Sequence, residues 1–541
     1  MRTTDPQRIA ALTAAGRWGH ETLHGLLAKH VGERPDALAV KDQPNRQELT
    51  GDSPQALSWA ELDHASNNLV TQLKAAGIGA DDKVIIQLPN VVELMVTYYA
   101  LSKLGAIASP VPVQYGRFEL QHVHEALGAA ALITIGRFRK TALSADARVA
   151  LSGLPVLSFG EELQLDVSDS QAFASGIEDQ ANAVITICWT SGTTGTPKGV
   201  PRSHNMWLAT ARNTAKAGGY TKNDILLCPF PMVNMSALGG FVFSAAVIGC
   251  AVVLHHPMDP ALFLQQIQDE RISFTIAPPA LFNQLAKSPE NWNQFDFSAL
   301  RRVGSGSAPL SPWMIETFDK EFGVDVVNFY GSNEGIGLYS SPESAPDYEV
   351  RATMFPLPKE SDDLKVRVAD PGTEAVVTAT GERGELLVSG ASVFDGYFDH
   401  DNDGVFTSDG YFRTGDLVEI CGENGDFYKI VGRCKDIINR GGMKISPVEL
   451  DNALEGHPDI VEVCVCAYPD ERLGEKICAC VVMKPEVELL TIEAMQEYLL
   501  SLGLAKFKCP ERIEKFDQLP RNAQGKIQRF VLQENVSKEQ A

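Results

Sequence analysis

Residues 190–199 read Thr-Ser-Gly-Thr-Thr-Gly-Thr-Pro-Lys-Gly and follow the apolar run 184–189, which has the pattern of a buried strand. Glycine lets a backbone approach a ligand closely and adopt positive φ. The N–H groups of such a loop and its serine and threonine hydroxyls can wrap phosphate oxygens, and Lys198 adds a point charge. A Walker loop needs a glycine, four residues, then Gly-Lys-Ser/Thr. Here Gly192, Gly195 and Lys198 fall three apart and Pro197 precedes the lysine, so that reading fails. The bland alternative is a surface turn.

Around this loop the chain has an α/β rhythm. The short apolar runs 84–88, 106–113 and 130–135 alternate with helical periodicity, as in 91–104. The rhythm returns through 225–228, 251–254, 274–277, 302–304 and 326–329. Two β/α sheet subdomains are expected up to about 345. From about 346 to 430 turn dipeptides crowd the sequence (Asp395-Gly396, Asp403-Gly404, Asp409-Gly410, Asn424-Gly425), which predicts short antiparallel strands in a small barrel-like region. After Lys435 a mixed α+β pattern follows, with a helix from 447 and strands at 461–466 and 477–483. The expected division is therefore a large domain over 1–434 and a small one over 435–541.

At 541 residues the chain exceeds a single core. Its net charge of −22 argues against nonspecific nucleic-acid binding, and any polyanionic ligand must meet a local site of N–H groups or cations. The apolar segment 239–254 is shorter than the roughly 20 residues of a spanning helix and contains Gly249. It reads as a buried helix, a glycine turn and a strand. Ten dispersed cysteines, no secretory pattern and a Lys-Glu-Gln-Ala terminus lead to the expectation of a cytoplasmic protein.

Further segments carry chemistry. Gly304-Ser305-Gly306-Ser307-Ala308-Pro309 ends a strand but lacks the third glycine of a dinucleotide fingerprint. Asn328-Phe329-Tyr330-Gly331-Ser332-Asn333-Glu334 ends another. Thr414-Gly415-Asp416 puts a carboxylate after a turn, where it can take both hydroxyls of a ribose. Gly432-Arg433-Cys434-Lys435 and Arg440-Gly441-Gly442-Met443 follow, and Gln524-Gly525-Lys526 puts a cation beside a glycine near the end.

In order and spacing, over about residues 20 to 535, these segments resemble the adenylate-forming superfamily: acyl-CoA synthetases, aryl-acid AMP ligases, luciferase-like enzymes and peptide-synthetase adenylation domains. The resemblance implies a two-step ligase. A carboxylate attacks the α-phosphorus of Mg·ATP to give acyl-AMP and pyrophosphate, then a thiol attacks the mixed anhydride. It also implies site residues. Thr190, Ser191, Gly192, Thr193, Thr194, Gly195, Thr196 and Lys198 hold the β- and γ-phosphates, with Thr194 and Lys198 counted as catalytic. Gly306, Ser307 and Ala308 let adenine slide against the backbone, and Tyr330 stacks on it within Asn328, Phe329, Gly331 and Ser332. Glu334 helps bind Mg²⁺ and is counted with the catalytic residues. Asn333 replaces the family's usual threonine and can still offer its amide to a phosphate. Asp416 and Arg433 hold the ribose, Lys435 is the hinge of a mobile small domain, and Gly441 and Gly442 line a pantetheine path. Lys526 is the catalytic lysine, carried to charge growing on the α-phosphate.

The segment 231–236 resembles the acyl-pocket wall, so Asn234, Met235 and Gly331 are expected there. Coenzyme A is the expected thiol, favoured by a length like that of stand-alone ligases and by the 441–442 glycines; a carrier-protein phosphopantetheine is the alternative. The acid is expected to be cyclic or aromatic, with a medium-chain fatty acid as the alternative. A nucleotide-binding pseudoenzyme is the non-catalytic alternative, and the presence of Lys526 argues against it. Dimers are common in the superfamily, but no interface can be derived from the sequence. The pairs Cys464/Cys466 and Cys478/Cys480 share one strand face and read as small core hydrophobes rather than a zinc site. His122, His124, His255 and His256 read as structural, and so does His204, although a histidine is common after the family's loop.

Overall fold

The apolar runs become the central strands of two sheets. The computed structural model describes residues 1–538 except 174–175, 191–196, 307–309, 359–362, 442, 471 and 522–525. They group into two compact units. One is built from Met1–Gly192, Thr196–Lys365 and Val388–Phe412, the other from Val366–Leu387 and Arg413–Ala541. Residue 435 lies inside the second unit.

The first unit holds a six-stranded sheet in the order Val156–Phe159, Ala131–Ile135, Lys83–Gln87, Ile107–Pro110, Val184–Thr190, Lys198–Ser203. Its neighbours pair in parallel except the last two, which form an antiparallel hairpin. Sheets covered on both faces take continuous apolar strands rather than alternating ones. Ala131–Ile135 is buried at every position. The adjoining helix Val92–Leu104 is also buried throughout, and Gly105 ends it at φ +74°.

The eight-stranded sheet runs Gly337–Ser340, Asp325–Gly331, Arg302–Gly306, Phe274–Ile276, Ile225–Cys228, Ala251–Leu254, Leu38–Lys41, Ala56–Ser58. Both edge strands pair antiparallel and the interior pairs are parallel. The segment 239–254 turns through Leu238–Phe243 and Ser244–Ile248, reverses at Gly249 (φ +82°) and enters Ala251–Leu254. Among the described residues no helix is long and apolar enough to cross a membrane.

The turn-rich region differs from expectation in strand length. Arg383–Gly390 has 8 residues and Phe412–Cys421 has 10. The turn dipeptides lie between strands rather than within them, so they bound longer strands instead of dividing the region into short ones. Phe412–Cys421 pairs antiparallel with Phe427–Arg433.

Within the second unit, Met443–Ile445, Ile438–Arg440, Gly474–Met483 and Ile460–Asp470 form a sheet, with Arg512–Lys515 beside Gly474–Met483. One face packs Val465 and Ile477 against Leu450, Met495 and Leu499. The other packs Cys464, Cys466, Cys478 and Cys480 beneath Leu519, Leu532 and Val536. No group of three or more His, Cys, Asp or Glu side chains among the described residues is arranged to hold a metal.

Candidate active site

In the first unit the described ends of the 190–199 motif lie on paired antiparallel strands, with Thr190 opposite Lys198. The loop positions Ser191, Gly192, Thr193, Thr194, Gly195 and Thr196 lie outside the described residues, as do Ser307, Ala308 and Gly442. On the second of these strands, Lys198–Ser203, Arg202 is fully buried. It donates to Met206 O (2.8 Å), Thr210 Oγ1 (2.6 Å) and Ser392 O (2.8 Å), and its guanidinium lies 3.9 Å from the Trp207 ring. Burial lowers its pKa to about 9.

The strands Arg302–Gly306 and Asp325–Gly331 end side by side. Open parallel sheets bind ligands at such carboxyl ends. A Cβ at Gly306 would sit 2.0 Å from Phe329 O, so only glycine fits there. Asn328 is buried and its amide donates to the carbonyls of Arg351 (3.1 Å) and Ala352 (2.9 Å), which anchors the strand. Phe329 packs edge-on to Phe274 and Tyr339. Tyr330 is half-buried, 5.8 Å from the Phe355 ring. Gly331 is exposed and faces Ile336 O too closely for a side chain. The Ser332 hydroxyl is buried without a partner among the described residues.

Asn333 is a brace. Its Nδ2 donates to Trp189 O (3.1 Å), near the end of strand Val184–Thr190, and its Oδ1 accepts from Met235 N (2.8 Å). Met235 is buried, while Asn234 is half-buried and its Oδ1 accepts from Ser236 N at 3.1 Å. The side chain standing where the family has threonine thus ties strand Val184–Thr190 to the wall expected to line the acyl pocket.

Glu334 is buried, 8% exposed, and the carboxylate offers the hard oxygen ligands that Mg²⁺ requires. Its Oε1 accepts from the Tyr397 hydroxyl at 2.9 Å and its backbone carbonyl from Phe394 N at 2.9 Å. The Lys198 ammonium lies over the Tyr397 ring, 4.8 Å from its centre. Ser392 Oγ donates to Gly335 O at 2.8 Å, and a Cβ at Gly335 would clash with Ser392 O at 1.9 Å. The segment 392–398 is therefore the support of Glu334, reached through Arg202 and Tyr397, and neither was singled out from sequence. The available signal was an aromatic residue directly after the Asp395-Gly396 turn.

In the second unit Asp416 and Arg433 are cross-strand partners with Nε 2.9 Å from Oδ1. The turn before Asp416 is held by Glu385, which accepts from Gly415 N (3.1 Å), and by the Thr414 hydroxyl, which donates to Leu386 O (2.7 Å) and accepts from Asp416 N (3.0 Å). Gly415 needs its glycine at φ +70°. Lys435 is exposed in the following turn. Gly441, at φ +58°, sits at the tip of the hairpin Ile438–Arg440/Met443–Ile445, and its N–H donates to Leu473 O at 2.7 Å. Lys526 is exposed beside Ile527, which bridges back to Arg521.

The histidines are held structurally. His204 is buried and its Nδ1 accepts from Leu23 N at 3.1 Å. His255 lies 2.6 Å from Gln266 Oε1, and His256 stacks on Phe138.

Comparison with known proteins fixes the family. The model of the AMP-binding enzyme family matches residues 27–398, and that of the AMP-binding enzyme C-terminal domain matches residues 449–526. The chain belongs to the AMP-binding enzyme family. It is 28% identical to the medium-chain fatty-acid–CoA ligase of Escherichia coli, covering 99% of this chain and 94% of that protein. It is 30% identical to pyochelin synthase PchD of Pseudomonas aeruginosa (97% and 94%) and 29% identical to enterobactin synthase component E of Escherichia coli (96% and 95%). Among solved structures it resembles the o-succinylbenzoate CoA synthetase of Bacillus subtilis bound to its acyl-adenylate, with TM-score 0.79, 25% identity, and 94% and 97% of the two chains covered. This AMP-binding enzyme is an adenylate-forming, ATP-dependent ligase.

Proposed function

We propose that this enzyme is an acid–CoA ligase acting on an aromatic or cyclic carboxylic acid. The observation that carries the reading is the meeting of Lys198 and Glu334 on Tyr397, beside the ends of two parallel strands. In the first step the acid's carboxylate oxygen attacks the α-phosphorus, a P–O bond forms, and pyrophosphate leaves. Lys198 and the loop that follows Thr190 hold the β- and γ-phosphates. Asp416 and Arg433 hold the ribose, and Tyr330 stacks on the base. Lys526 meets the charge growing on the α-phosphate, so catalysis is positioning and charge stabilisation. Glu334 is the residue that would hold Mg²⁺, which when bound neutralises phosphate charge.

In the second step a thiol attacks the acyl carbon and AMP leaves. Gly441 and Gly442 shape its path, and Lys435 is the hinge between a domain over 1–434 and one over 435–541. Met235 and Asn234, with Gly331, line the acid's pocket, a pliable apolar wall with one amide. Likeness to the 2-hydroxy-7-methoxy-5-methyl-1-naphthoate–CoA ligase of Streptomyces carzinostaticus supports an aromatic acid and CoA together. All ten cysteines are unpaired, which suits a cytoplasmic reaction.

The second reading is transfer to a carrier-protein phosphopantetheine. It is favoured by likeness to the vibriobactin-specific 2,3-dihydroxybenzoate-AMP ligase of Vibrio cholerae, at 30% identity. A panel of aryl and medium-chain acids with ATP and CoA decides between the two. Thiol consumption that depends on one acid supports the CoA ligase. Acyl-AMP accumulation with thiol untouched supports the carrier-protein reading.

A further inference from the structure

Lys198 and Glu334 carry opposite charges, and both contact the same side chain. Opposite charges this near a shared neighbour attract each other, more strongly where water is partly excluded. A direct ion pair between them would have to break before a phosphate could take the lysine and a cation the carboxylate. Among the described residues neither has an ion-pair partner. Tyr397 stands at both instead, its hydroxyl donating to Glu334 Oε1 at 2.9 Å and its ring face carrying the ammonium 4.8 Å from the centre. A phenol can serve both because its polar tip and its π-face point in different directions.

The ring is itself fixed. Tyr397 N donates to Asn402 Oδ1 at 2.7 Å, and Tyr397 O accepts from Asn402 Nδ2 at 3.1 Å. Phe394 packs edge-on against the ring at 4.9 Å, and Phe398 N donates to Gly199 O at 2.8 Å.

We infer that Tyr397 is a positioning residue that keeps Glu334 and Lys198 apart in the free enzyme, so that each meets its ligand group unpaired. The inference rests on the reading of Glu334 as the metal carboxylate and Lys198 as a phosphate cation. It separates the two jobs of the side chain. The hydroxyl orients the carboxylate, and the ring blocks the ion pair.

The test is equilibrium binding of α,β-methylene-ATP by calorimetry, without acid, in Mg²⁺ and in chelator, on variants that melt as the wild type does. Tyr397→Phe keeps the ring. It should cut the Mg²⁺-dependent gain in affinity about 3–10-fold and leave metal-free binding unchanged. Tyr397→Leu should also lower metal-free affinity about 3–10-fold, as Lys198 turns to Glu334. Adding Glu334→Gln to Tyr397→Leu should restore metal-free affinity, because the competing carboxylate is gone. An unchanged gain in Tyr397→Phe, or a loss in Tyr397→Leu that Glu334→Gln does not restore, overturns the inference. Glu334→Gln alone is the control. If it lowers the gain while the Tyr397 variants do not, only the inference fails. If it leaves the gain intact, the metal assignment falls and the inference with it.

Discussion

Arg433 and Asp416 face each other across the antiparallel strands Phe427–Arg433 and Phe412–Cys421, with Nε 2.9 Å from Oδ1. The guanidinium orients the carboxylate, and the Glu385-held turn behind it fixes the backbone. If this pair binds the ribose, Asp416→Ala should raise KM for ATP about 10–100-fold, the worth of hydrogen bonds to a charged group, and leave KM for the acid unchanged. Arg433→Met should act in the same direction and less strongly. Pyrophosphate–ATP exchange at varied ATP and varied acid separates the two constants; a rise confined to the acid would contradict the assignment.

Asn333 joins Trp189 O to Met235 N. Asn333→Ala leaves both backbone groups without that partner, so it should cost about 1–3 kcal/mol of stability. It should also disturb phosphate loop and acid pocket together, raising KM for ATP and for acid alike. Chemical denaturation read beside steady-state kinetics checks this. A change in only one KM would show that the brace does not couple the two sites.

Two buried histidines set an acid limit. Burial lowers His204 to about 3 and His256 to about 4, well below the ordinary 6.5. A folded pKa below the unfolded one means that the unfolded chain takes up the proton first as pH falls. The stability these groups contribute is full above about pH 6.5 and lost progressively below it, at about 1.4 kcal/mol per pH unit for each histidine. The urea midpoint should therefore fall between pH 6.5 and 5, and His204→Asn should flatten that fall by about one proton. A midpoint that holds or rises over this window would contradict the account.

The parts of the site that a reader of the sequence can see are the contiguous ones. The runs 225–228 and 251–254 are buried on both faces, so their boundaries coincide with the strands observed. Glu334, Asp416 and Lys526 stand in local motifs. Leu38–Lys41 and Ala56–Ser58 were not expected in the sheet, because Leu38–Lys41 joins it through Ala251–Leu254, far along the chain, and Ala56–Ser58 is added outside it as a three-residue edge. Tyr397 lies 63 residues from Glu334, and Arg202 reaches Ser392 across 190 residues. Neither distance leaves a periodic trace. A buried arginine held by carbonyls also has no acidic neighbour in sequence to announce it.

The most direct measurement is pyrophosphate–ATP exchange by the wild type and Lys526→Ala across a panel of aryl and medium-chain acids, with nucleotide binding followed in parallel. The account predicts exchange that depends on a particular acid and falls by about three orders of magnitude or more in the variant, while ATP still binds. Exchange that survives the loss of Lys526, or a wild type that exchanges with no acid offered, would contradict it.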